Sequence, residues 1–326
     1  MKRLFSGIQP TGELHIGNYL GAIKNWVELA DKFDAIFCIV DYHAISVEYE
    51  IHEFSSRTQN LAAGLLACGL VEKKCTLFVQ SHVQEHTELA WVLNSITPMG
   101  DLSRMTQFKD KSRQNPDNIN AGLFSYPVLQ AADILIYKAE VVPVGEDQVQ
   151  HIELSREIAR KFNARYGETF PEPKEYLTRG ARILGLDGQA KMSKSLNNHI
   201  GVFEDEKSLR EKLRTAFTDP ARLRRSDPGN PDVCNIFTLH KFFTEEGVVK
   251  QIDGDCRKAA IGCVECKKIL ADRMVSHLTP LRERYEDLTS NQEKVRDVLS
   301  DGFVRCSGLA KTTMNEVRER LGLFRP

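Results

Sequence analysis

The sequence predicts an α/β fold, with an open, doubly wound parallel sheet in its first part and helices alone in its second. Over the first 150 residues, short continuous apolar runs alternate with longer amphipathic segments. Strands that are buried on both faces of a parallel sheet have such apolar runs. From about Ser208 onward, only helical patterns are found. A chain of 326 residues is long enough for about two domains, one for each part.

The predicted strands and helices of the first part alternate as they do in βαβ units. A short strand precedes Ser6, and further strands are predicted at residues 35–40, 76–80 and 141–144. Amphipathic helices are predicted at residues 18–32, 52–68 and 85–94. Because each helix separates two buried strands, the strands are expected to run parallel in one sheet.

The second part is predicted to be helical on both sides of one linker. The linker covers residues 219–231 and is polar and rich in turn residues, including two Asp-Pro pairs. Helices are predicted at residues 208–217, 236–243, 263–277, 280–287 and 293–323. We expect one helix to stop before Pro280 and another to start there, since proline interrupts a helix.

The charges of the chain nearly cancel, with 44 basic and 45 acidic side chains. This balance argues against a protein that coats nucleic acid through a general basic excess. Residues 201–326 hold a local basic group, consisting of Arg222, Arg224 and Arg225. The charge of this group suits phosphate contact, and a solvated loop explains it equally well.

Eight cysteines in 326 residues are too few for a disulfide scaffold. Four of them lie within 33 positions, namely Cys234, Cys256, Cys263 and Cys266. No stretch has the composition of a signal peptide or the roughly 20 apolar residues of a membrane span. We therefore expect a cytoplasmic protein, in which clustered thiols more often hold metal than form disulfides.

Three predicted strands end in polar side chains, where a doubly wound sheet binds its ligands. These side chains are Asp41 and His43, Ser81 and His82, and those of residues 145–148. The loop at residues 6–12 is rich in small residues, and residues 15–18 open the first helix, whose N-terminus attracts phosphate. Because the loop matches neither G-x-x-x-x-G-K-[ST] nor G-x-G-x-x-G, kinase-type and dinucleotide-type sites are disfavoured.

A second candidate phosphate site is the segment at residues 191–195, which follows turn residues at 185–188. Lys191 and Lys194 are separated by two residues of small to medium size. On a mobile loop, such a pair can fold over a polyphosphate and neutralise charge as it develops. A solvated basic linker has the same composition, so both interpretations remain open for this segment alone.

Two segments of the chain resemble the two signature motifs of class I aminoacyl-tRNA synthetases. They are His15-Ile16-Gly17-Asn18 and Lys191-Met192-Ser193-Lys194-Ser195, in this order and at this distance. Within that class, further segments are similar to the tryptophanyl-tRNA synthetases of bacterial type, at residues 5–12, 40–44, 105–109, 131–135 and 142–148. The resemblance implies a Rossmann-like catalytic domain over residues 1–200. It also implies an all-α anticodon-binding domain over residues 201–326, whose last helix packs back on the catalytic domain.

The resemblance further implies a reaction and its partners. Such enzymes join L-tryptophan to ATP, release pyrophosphate, and transfer the aminoacyl group to the 2′-hydroxyl of the terminal adenosine of tRNA(Trp). Mg2+ accompanies the ATP, and a homodimer is expected. Because a carboxylate is itself a nucleophile, positioning and charge stabilisation are expected to carry the catalysis without a strong general base.

The site residues follow from the same resemblance, position by position. Those expected to hold the departing pyrophosphate are Lys111, Lys191 and Lys194. Those expected to bind ATP are Gln9, Thr11, His15, Gly17, Asn18, Gln107, Gly145, Asp147, Ile183, Lys191, Met192, Ser193 and Lys194. Those expected to bind tryptophan are Phe5, His43, Tyr126, Asp133, Val142, Val144 and Gln148.

Asp133 is expected to set specificity by accepting the indole N–H, because a substrate without this donor leaves a buried carboxylate unpaired. The alternative is an acid on a helix surface, but Ala131, Ala132, Ile134 and Leu135 make the surroundings apolar. The chain has Gln130 where many relatives have methionine. We therefore expect a more polar pocket wall than usual.

The crowded cysteines have the pattern Cys234-x21-Cys256-x6-Cys263-x2-Cys266. This pattern resembles the one with which a subset of the family binds a [4Fe–4S] cluster near the anticodon-binding region, although their first gap is commonly one residue longer. Four thiolates suit [4Fe–4S] and also tetrahedral zinc, and free thiols are a third possibility. Arg222, Arg224 and Arg225 are expected to contact tRNA.

Three other functions are weighed against this one. A tyrosyl-tRNA synthetase shares the fold and the motifs, but its pocket needs partners for a phenol hydroxyl, and it usually has an extra C-terminal RNA-binding domain. A non-catalytic tRNA-binding paralogue would have lost motifs that are intact here. An adenylyltransferase without tRNA would not need the helical second domain.

Overall fold

The structure is a computed structural model that describes residues 1–71, 74–114, 119–177, 183–194 and 196–324, without the side chains of Lys111 and Gln114. The chain forms two compact units. Unit 1 comprises Met1–Gly12, Trp26–Arg179 and Asn291–Pro326, and unit 2 comprises Glu13–Asn25 and Gly180–Ser290. Each unit combines separate stretches of chain.

Unit 1 is built on a five-stranded parallel sheet. The strands are β1 (Arg3–Ile8), β2 (Asp34–Ile39), β3 (Cys75–Val79), β4 (Val141–Val144) and β5 (Lys174–Leu177). Their order is β3-β2-β1-β4-β5, and all neighbouring pairs are parallel. The strand order reverses between β1 and β4, and parallel sheets bind ligands beyond the carboxyl ends of the strands at such a point.

β5 has no counterpart among the predicted strands. Its four side chains are mostly exposed, so the segment lacks the continuous apolar run by which the other strands were predicted. It lies at the edge of the sheet, where it pairs with β4.

The helices surround the sheet in unit 1 and build unit 2. In chain order they are α1 (Ile16–Asn18), α2 (Lys24–Ala30), α3 (Asp41–Ala44), α4 (Ile51–Ala67), α5 (Glu85–Asn94), α6 (Met99–Ser103), α7 (Thr106–Gln114), α8 (Ala121–Leu135), α9 (Val149–Tyr166), α10 (Glu206–Thr215), α11 (Asn235–Phe243), α12 (Glu246–Arg257), α13 (Cys263–Ser290) and α14 (Gln292–Arg320). A π-helical turn, Tyr19–Ile23, joins α1 to α2. Over the part of the chain described, none of the helices is both long and apolar enough to cross a membrane.

α13 differs from the prediction of two helices separated at Pro280, which was wrong. Pro280 lies inside one continuous helix. A proline in a helix interior costs about 3 kcal/mol or more. Met274, Leu278 and Leu281 are buried on both sides of the proline, so apolar packing continues along the helix and outweighs this cost.

α14 packs against the core of unit 1, although it is the last helix of the chain. Its buried residues Cys306, Ala310, Met314 and Val317 belong to the same apolar cluster as residues of the sheet and of α8. An ion pair between Lys138 and Glu316, with Nζ and Oε2 2.7 Å apart, adds a polar contact at its edge. A helix that follows unit 2 in sequence therefore stabilises unit 1.

Substitution of Gly302 by alanine is expected to destabilise the protein, by about 1–3 kcal/mol for an overpacked contact. A Cβ at this position of α14 would lie 2.0 Å from the carbonyl oxygen of Leu77, and this backbone of β3 cannot rotate away. Gly308 on the same helix is the matched control, since a Cβ there meets nothing within 4 Å. Thermal unfolding should show a lower Tm for Gly302→Ala and an equal or higher Tm for Gly308→Ala. Equal Tm values for the two variants would contradict the described packing of α14.

Candidate active site and cysteine cluster

The residues predicted to bind tryptophan come together in unit 1. Phe5 lies on β1 and Val142 and Val144 lie on β4, so they flank the reversal of strand order. All three belong to one buried apolar cluster. His43 follows β2 on α3, while Tyr126 and Asp133 lie seven residues, about two turns, apart on α8 and thus on one face. We call these six residues the slot.

The Asp133 carboxylate is the polar centre of this slot and is only 2% exposed. The Nε2 atom of His43 lies 2.7 Å from Oδ2. Oδ1 accepts a hydrogen bond from Nε2 of Gln80 at 2.7 Å and another from Nδ1 of His86 at 2.7 Å. A carboxylate has about four lone-pair positions. Among the described residues, three donors reach it, so one position on Oδ2 remains for a further donor.

Asp133 remains ionised in this setting. Burial alone would raise its pKa, but the charges of and hydrogen bonds from His43 and His86 outweigh burial and lower the pKa below its usual value. An ionised, buried carboxylate accepts hydrogen bonds and donates none. Asp133 can therefore select a ligand by an N–H group.

Tyr126 and Gln148, the predicted partners of the ammonium group, differ in their surroundings. The Tyr126 hydroxyl lies 3.1 Å from Nε2 of His151, and burial raises the pKa of Tyr126 to about 12, so the hydroxyl stays neutral. Nε2 of Gln148 donates a hydrogen bond to Oδ2 of Asp147 at 3.1 Å. Gly145 and Asp147, the predicted ribose contacts, are exposed at the carboxyl end of β4.

The remaining predicted ATP residues of unit 1 lie in the loop after β1 and on α7. The backbone N–H of Thr11 donates to the carbonyl of Gln9 at 2.9 Å, which closes a tight turn. Gln107 lies on α7 and is half-buried. The side chain of Lys111 lies outside the described residues, so its prediction stays a prediction.

The first signature segment begins a helix in unit 2. His15 caps α1, because its Nδ1 accepts a hydrogen bond from the backbone N–H of Asn18 at 3.3 Å. In return, Oδ1 of Asn18 accepts from the backbone N–H of His15 at 3.2 Å. The pKa of His15 is lowered to about 4 by burial and then by the nearby charges of His199, Lys194 and Lys191. His15 is therefore neutral at pH 7 and can accept this hydrogen bond.

The second signature segment lies beside the first. A Cβ on Gly17 would lie 3.5 Å from Cβ of Met192, and the effect of Lys191 and Lys194 on His15 shows that their charges reach it. The backbone N–H of Met192 donates to the carbonyl of Ile183 at 3.0 Å. The two motifs that the sequence separates by more than 170 residues thus meet within unit 2. The last residue of the second motif, Ser195, lies outside the described residues.

Several polar residues near these sites were not predicted. In unit 1 they are Gln80 and His86, which bind the Asp133 carboxylate, and Tyr137, whose hydroxyl lies 2.7 Å from Nε2 of His86. Gln80 directly follows β3, a strand-end position that could have indicated it. His86 and Tyr137 carry no such signal, because each lies among helical or apolar residues.

In unit 2, two unpredicted residues support the signature segments. Asn198 accepts a hydrogen bond from the backbone N–H of Ser193 at 2.8 Å and donates one to Asp187 at 2.7 Å. The ring centroid of His199 lies 6.2 Å from that of His15. Nδ1 of His199 is buried, and it has no hydrogen-bond partner among the described residues.

The four crowded cysteines surround one small core of unit 2. Cys234, Cys256 and Cys266 pack against the cluster of Phe237, Ile252 and Ile261, and all four cysteines are free thiols. Burial, followed by the charges of the other three cysteines, raises the pKa of Cys266 to about 12. Among the described residues, no three His, Cys, Asp or Glu side chains form a group that could hold a metal ion as they stand.

Arg222 points at these thiols and away from solvent. Its Nη1 lies 3.7 Å from Sγ of Cys256 and 3.9 Å from Sγ of Cys263, and its Nη2 donates to the carbonyl of Ile261 at 2.8 Å. Its Nε is buried without a hydrogen-bond partner among the described residues. The guanidinium of Arg222 therefore places a positive charge beside two of the four thiols. Arg224 and Arg225 are exposed.

Comparison with known proteins decides the family. A family model described as tRNA synthetases class I (W and Y) matches residues 1–279. The chain belongs to this family. A tryptophan–tRNA ligase of Deinococcus radiodurans is 48% identical over 330 residues and covers 100% of both chains. One of Wolinella succinogenes is 47% identical and covers 99% of both.

A solved structure is similar over the same extent. Tryptophanyl-tRNA synthetase from Campylobacter jejuni, complexed with ADP and tryptophan, has a TM-score of 0.90 at 36% identity and covers 98% of this chain and 100% of that one. The predicted α/β fold with a helical second part is confirmed, as is the predicted class of enzyme, an aminoacyl-tRNA synthetase.

Proposed function

We propose that this chain, a tryptophan–tRNA ligase, binds the indole ring of tryptophan in the slot and the phosphates of ATP at the two signature segments. The observation that carries the proposal is the buried Asp133 carboxylate, which keeps one acceptor position in the slot. The indole N–H of tryptophan fills this position. Tyrosine and phenylalanine have no ring N–H, so they leave it unpaired.

The first step forms tryptophanyl-adenylate. The tryptophan carboxylate attacks the α-phosphorus of ATP, a new C–O–P linkage forms, and the bond to the β-phosphate oxygen breaks to release pyrophosphate. Lys191 and Lys194, together with Lys111, neutralise the charge that grows on the leaving pyrophosphate. Mg2+ enters with the ATP and shares this role. His15, neutral and fixed at the start of α1, packs against the nucleotide with Gly17 and Asn18 and transfers no proton.

The ammonium group of tryptophan is proposed to lie between Tyr126 and Gln148. The neutral Tyr126 hydroxyl accepts one hydrogen bond from the ammonium group, and the amide oxygen of Gln148 accepts another, since its Nε2 already donates to Asp147. Phe5, Val142 and Val144 enclose the ring. Contacts at both ends of the amino acid align its carboxylate for attack on the α-phosphorus. The entropy cost of bringing the two reactants together is then met on binding, and the activation barrier is lower.

The second step transfers the tryptophanyl group to tRNA(Trp). The 2′-hydroxyl of the terminal adenosine attacks the adenylate carbonyl, and AMP leaves. Arg224 and Arg225, which are exposed in the basic group, are proposed to contact the tRNA backbone. Arg222 supports them from inside, because its Nη2 also donates to the carbonyl of Arg225 at 2.9 Å. A tRNA substrate also places the enzyme in the cytoplasm.

Aminoacylation tests the proposed function as a whole. Purified protein, ATP, Mg2+ and total bacterial tRNA are incubated with labelled tryptophan or labelled tyrosine, and acid-precipitable label is counted. Tryptophan should be attached to tRNA and tyrosine should not. Attachment of tyrosine at an equal rate would show a tyrosyl-tRNA synthetase instead, and attachment of neither would favour a non-catalytic paralogue.

The four cysteines are proposed to hold a [4Fe–4S] cluster, with zinc as the alternative metal. The donor set supports this proposal, since all four thiols are free, three of them pack against one small core, and Arg222 lies beside Cys256 and Cys263. The ligand arrangement would be completed on metal binding, as in other sites of this kind. The four cysteines lie in unit 2, on elements other than the signature segments. We propose that the bound metal shapes the tRNA-binding surface.

Protein purified without oxygen is expected to contain about four iron and four sulfide ions per chain and to absorb broadly in the visible range. Cys263→Ser should lose most of this iron. Cys75→Ser is the matched control, because Cys75 lies in unit 1 and donates its S–H to the carbonyl of Val71, which a hydroxyl can replace. Zinc without iron would favour the alternative metal, and the absence of both metals would contradict the proposal.

A homodimer is proposed as well. A second copy of the chain is the partner that the family resemblance indicates. Trp91 on α5, 78% exposed, and Met99 on α6, 73% exposed, are proposed as contacts of that interface. Sedimentation at micromolar concentration should give twice the chain mass of 36.9 kDa.

A further inference from the structure

We infer that His86 and Tyr137 are positioning residues for tryptophan selection, because together they hold the Asp133 carboxylate in one orientation. This inference rests on the proposed function and extends it to residues that do not touch the substrate. The three side chains form a hydrogen-bonded chain, which we call the relay. It runs from Tyr137 through His86 to Oδ1 of Asp133.

Both ring nitrogens of His86 have a hydrogen-bond partner in the relay. The ionised Asp133 can only accept, so Nδ1 of His86 carries a proton and donates a hydrogen bond to it at 2.7 Å. Nε2 of His86 lies 2.7 Å from the Tyr137 hydroxyl. The ring therefore cannot turn without breaking both hydrogen bonds.

Tyr137 lies in the core that also contains α14. Tyr137 and Cys306 of α14 belong to the same buried apolar cluster. Burial raises the pKa of Tyr137 and raises that of Cys306 to about 12, so both groups keep their protons. The outer end of the relay is therefore held in the core of unit 1.

Burial makes the relay rigid. His86 and Tyr137 are fully buried, and Asp133 is nearly so. Phe5 stacks on the Tyr137 ring with centroids 5.6 Å apart, and Phe78 meets the same ring edge-on at 5.7 Å. An aromatic ring held on two sides keeps its hydroxyl in place. Reorientation of His86 would leave buried polar atoms unpaired, which is costly.

His86 shares Oδ1 of Asp133 with a second hydrogen-bond donor, Gln80. Gln80 is itself oriented, because its Oε1 accepts the backbone N–H of Tyr42 at 3.1 Å, and its Nε2 therefore faces Oδ1. Two donors on Oδ1 pin that oxygen. The carboxylate plane and the open acceptor position on Oδ2 are then fixed before tryptophan enters. Removal of the His86 donor leaves Gln80 as the one remaining donor to Oδ1 among the described residues, so the carboxylate is held less firmly and the N–H contact weakens.

The test compares tryptophan with β-(benzothiophen-3-yl)alanine, an isosteric substrate in which sulfur replaces the indole N–H. The ratio of kcat/KM for the two substrates in ATP–pyrophosphate exchange measures the contribution of the N–H contact. His86→Ala should lower this ratio at least tenfold, chiefly through a higher KM for tryptophan. His86→Asn restores a donor near the position of Nδ1 and should keep the ratio within about threefold of the wild-type value.

Tyr137→Phe tests the relay one step further from the substrate. It keeps the buried ring and removes only the hydroxyl, so the fold is preserved, and the ratio should fall about threefold. A merely structural role would lower kcat/KM for both substrates alike and leave the ratio unchanged. A ratio within twofold of the wild-type value in both His86→Ala and Tyr137→Phe would overturn the inference. If the wild-type protein showed no tryptophan-dependent exchange, the proposed function itself would fail, which is a distinct result.

Discussion

Replacement of Lys194 by alanine is expected to lower the rate of tryptophan activation by about 10²–10³-fold, with little change in the KM for tryptophan. The loss of one group that stabilises developing charge has this magnitude in other enzymes. Lys194 is assigned this role because its charge, like that of Lys191, lowers the pKa of His15 in the first signature segment. The charge on the pyrophosphate grows as the α–β bond breaks, so the lysine acts mainly in the transition state.

Lys207→Ala is a suitable control for Lys194→Ala, since Lys207 is an exposed lysine on α10 of the same unit. It should leave the activation rate unchanged. Pre-steady-state measurement of adenylate formation separates the rate from substrate affinity. An unchanged rate in Lys194→Ala, or a loss seen only in the KM for tryptophan, would contradict the assigned role.

Asp133→Asn is expected to raise the KM for tryptophan by about 10- to 100-fold, with the KM for ATP nearly unchanged. A hydrogen bond to a charged group contributes about 1.5–3 kcal/mol, and each 1.4 kcal/mol corresponds to a tenfold change. The asparagine keeps the shape of the side chain, but it removes the charge and replaces one acceptor oxygen by a donor. A donor facing the indole N–H repels it.

Asp101→Asn serves as the control for Asp133→Asn, because Asp101 is ion-paired with Lys161 of α9 outside the slot. It should leave both KM values unchanged. Asp133→Asn also alters contacts with two histidines, so its Tm must be measured beside its kinetics. A lower kcat with an unchanged KM for tryptophan would show that Asp133 does not bind the substrate.

The parts of the fold that could be predicted are those encoded in neighbouring residues. The buried strands β2 and β3 are continuous apolar runs, and α5 has the predicted bounds of Glu85–Asn94. Asp133 was predicted from the resemblance and from its apolar neighbours. The two signature segments were predicted from their own residues, although their contact within unit 2 is visible only in the structure.

The parts that could not be predicted depend on contacts between distant residues. His86 and Asp133 are 47 positions apart, and Tyr137 and His86 are 51 apart. No pattern along the chain indicates that a histidine inside a helix faces a carboxylate on another. Pro280 is a second example. The low helix propensity of proline predicts a break at this position, but packing against distant residues keeps the helix continuous.

The central claim is that the chain activates tryptophan by recognising its indole N–H. ATP–pyrophosphate exchange tests it most directly, with tryptophan, tyrosine, β-(benzothiophen-3-yl)alanine or no amino acid present. We predict rapid exchange with tryptophan, exchange at least about tenfold slower with the sulfur analogue, and background rates with tyrosine and without amino acid. Equal exchange with tyrosine, or equal kcat/KM for tryptophan and the sulfur analogue, would contradict the claim.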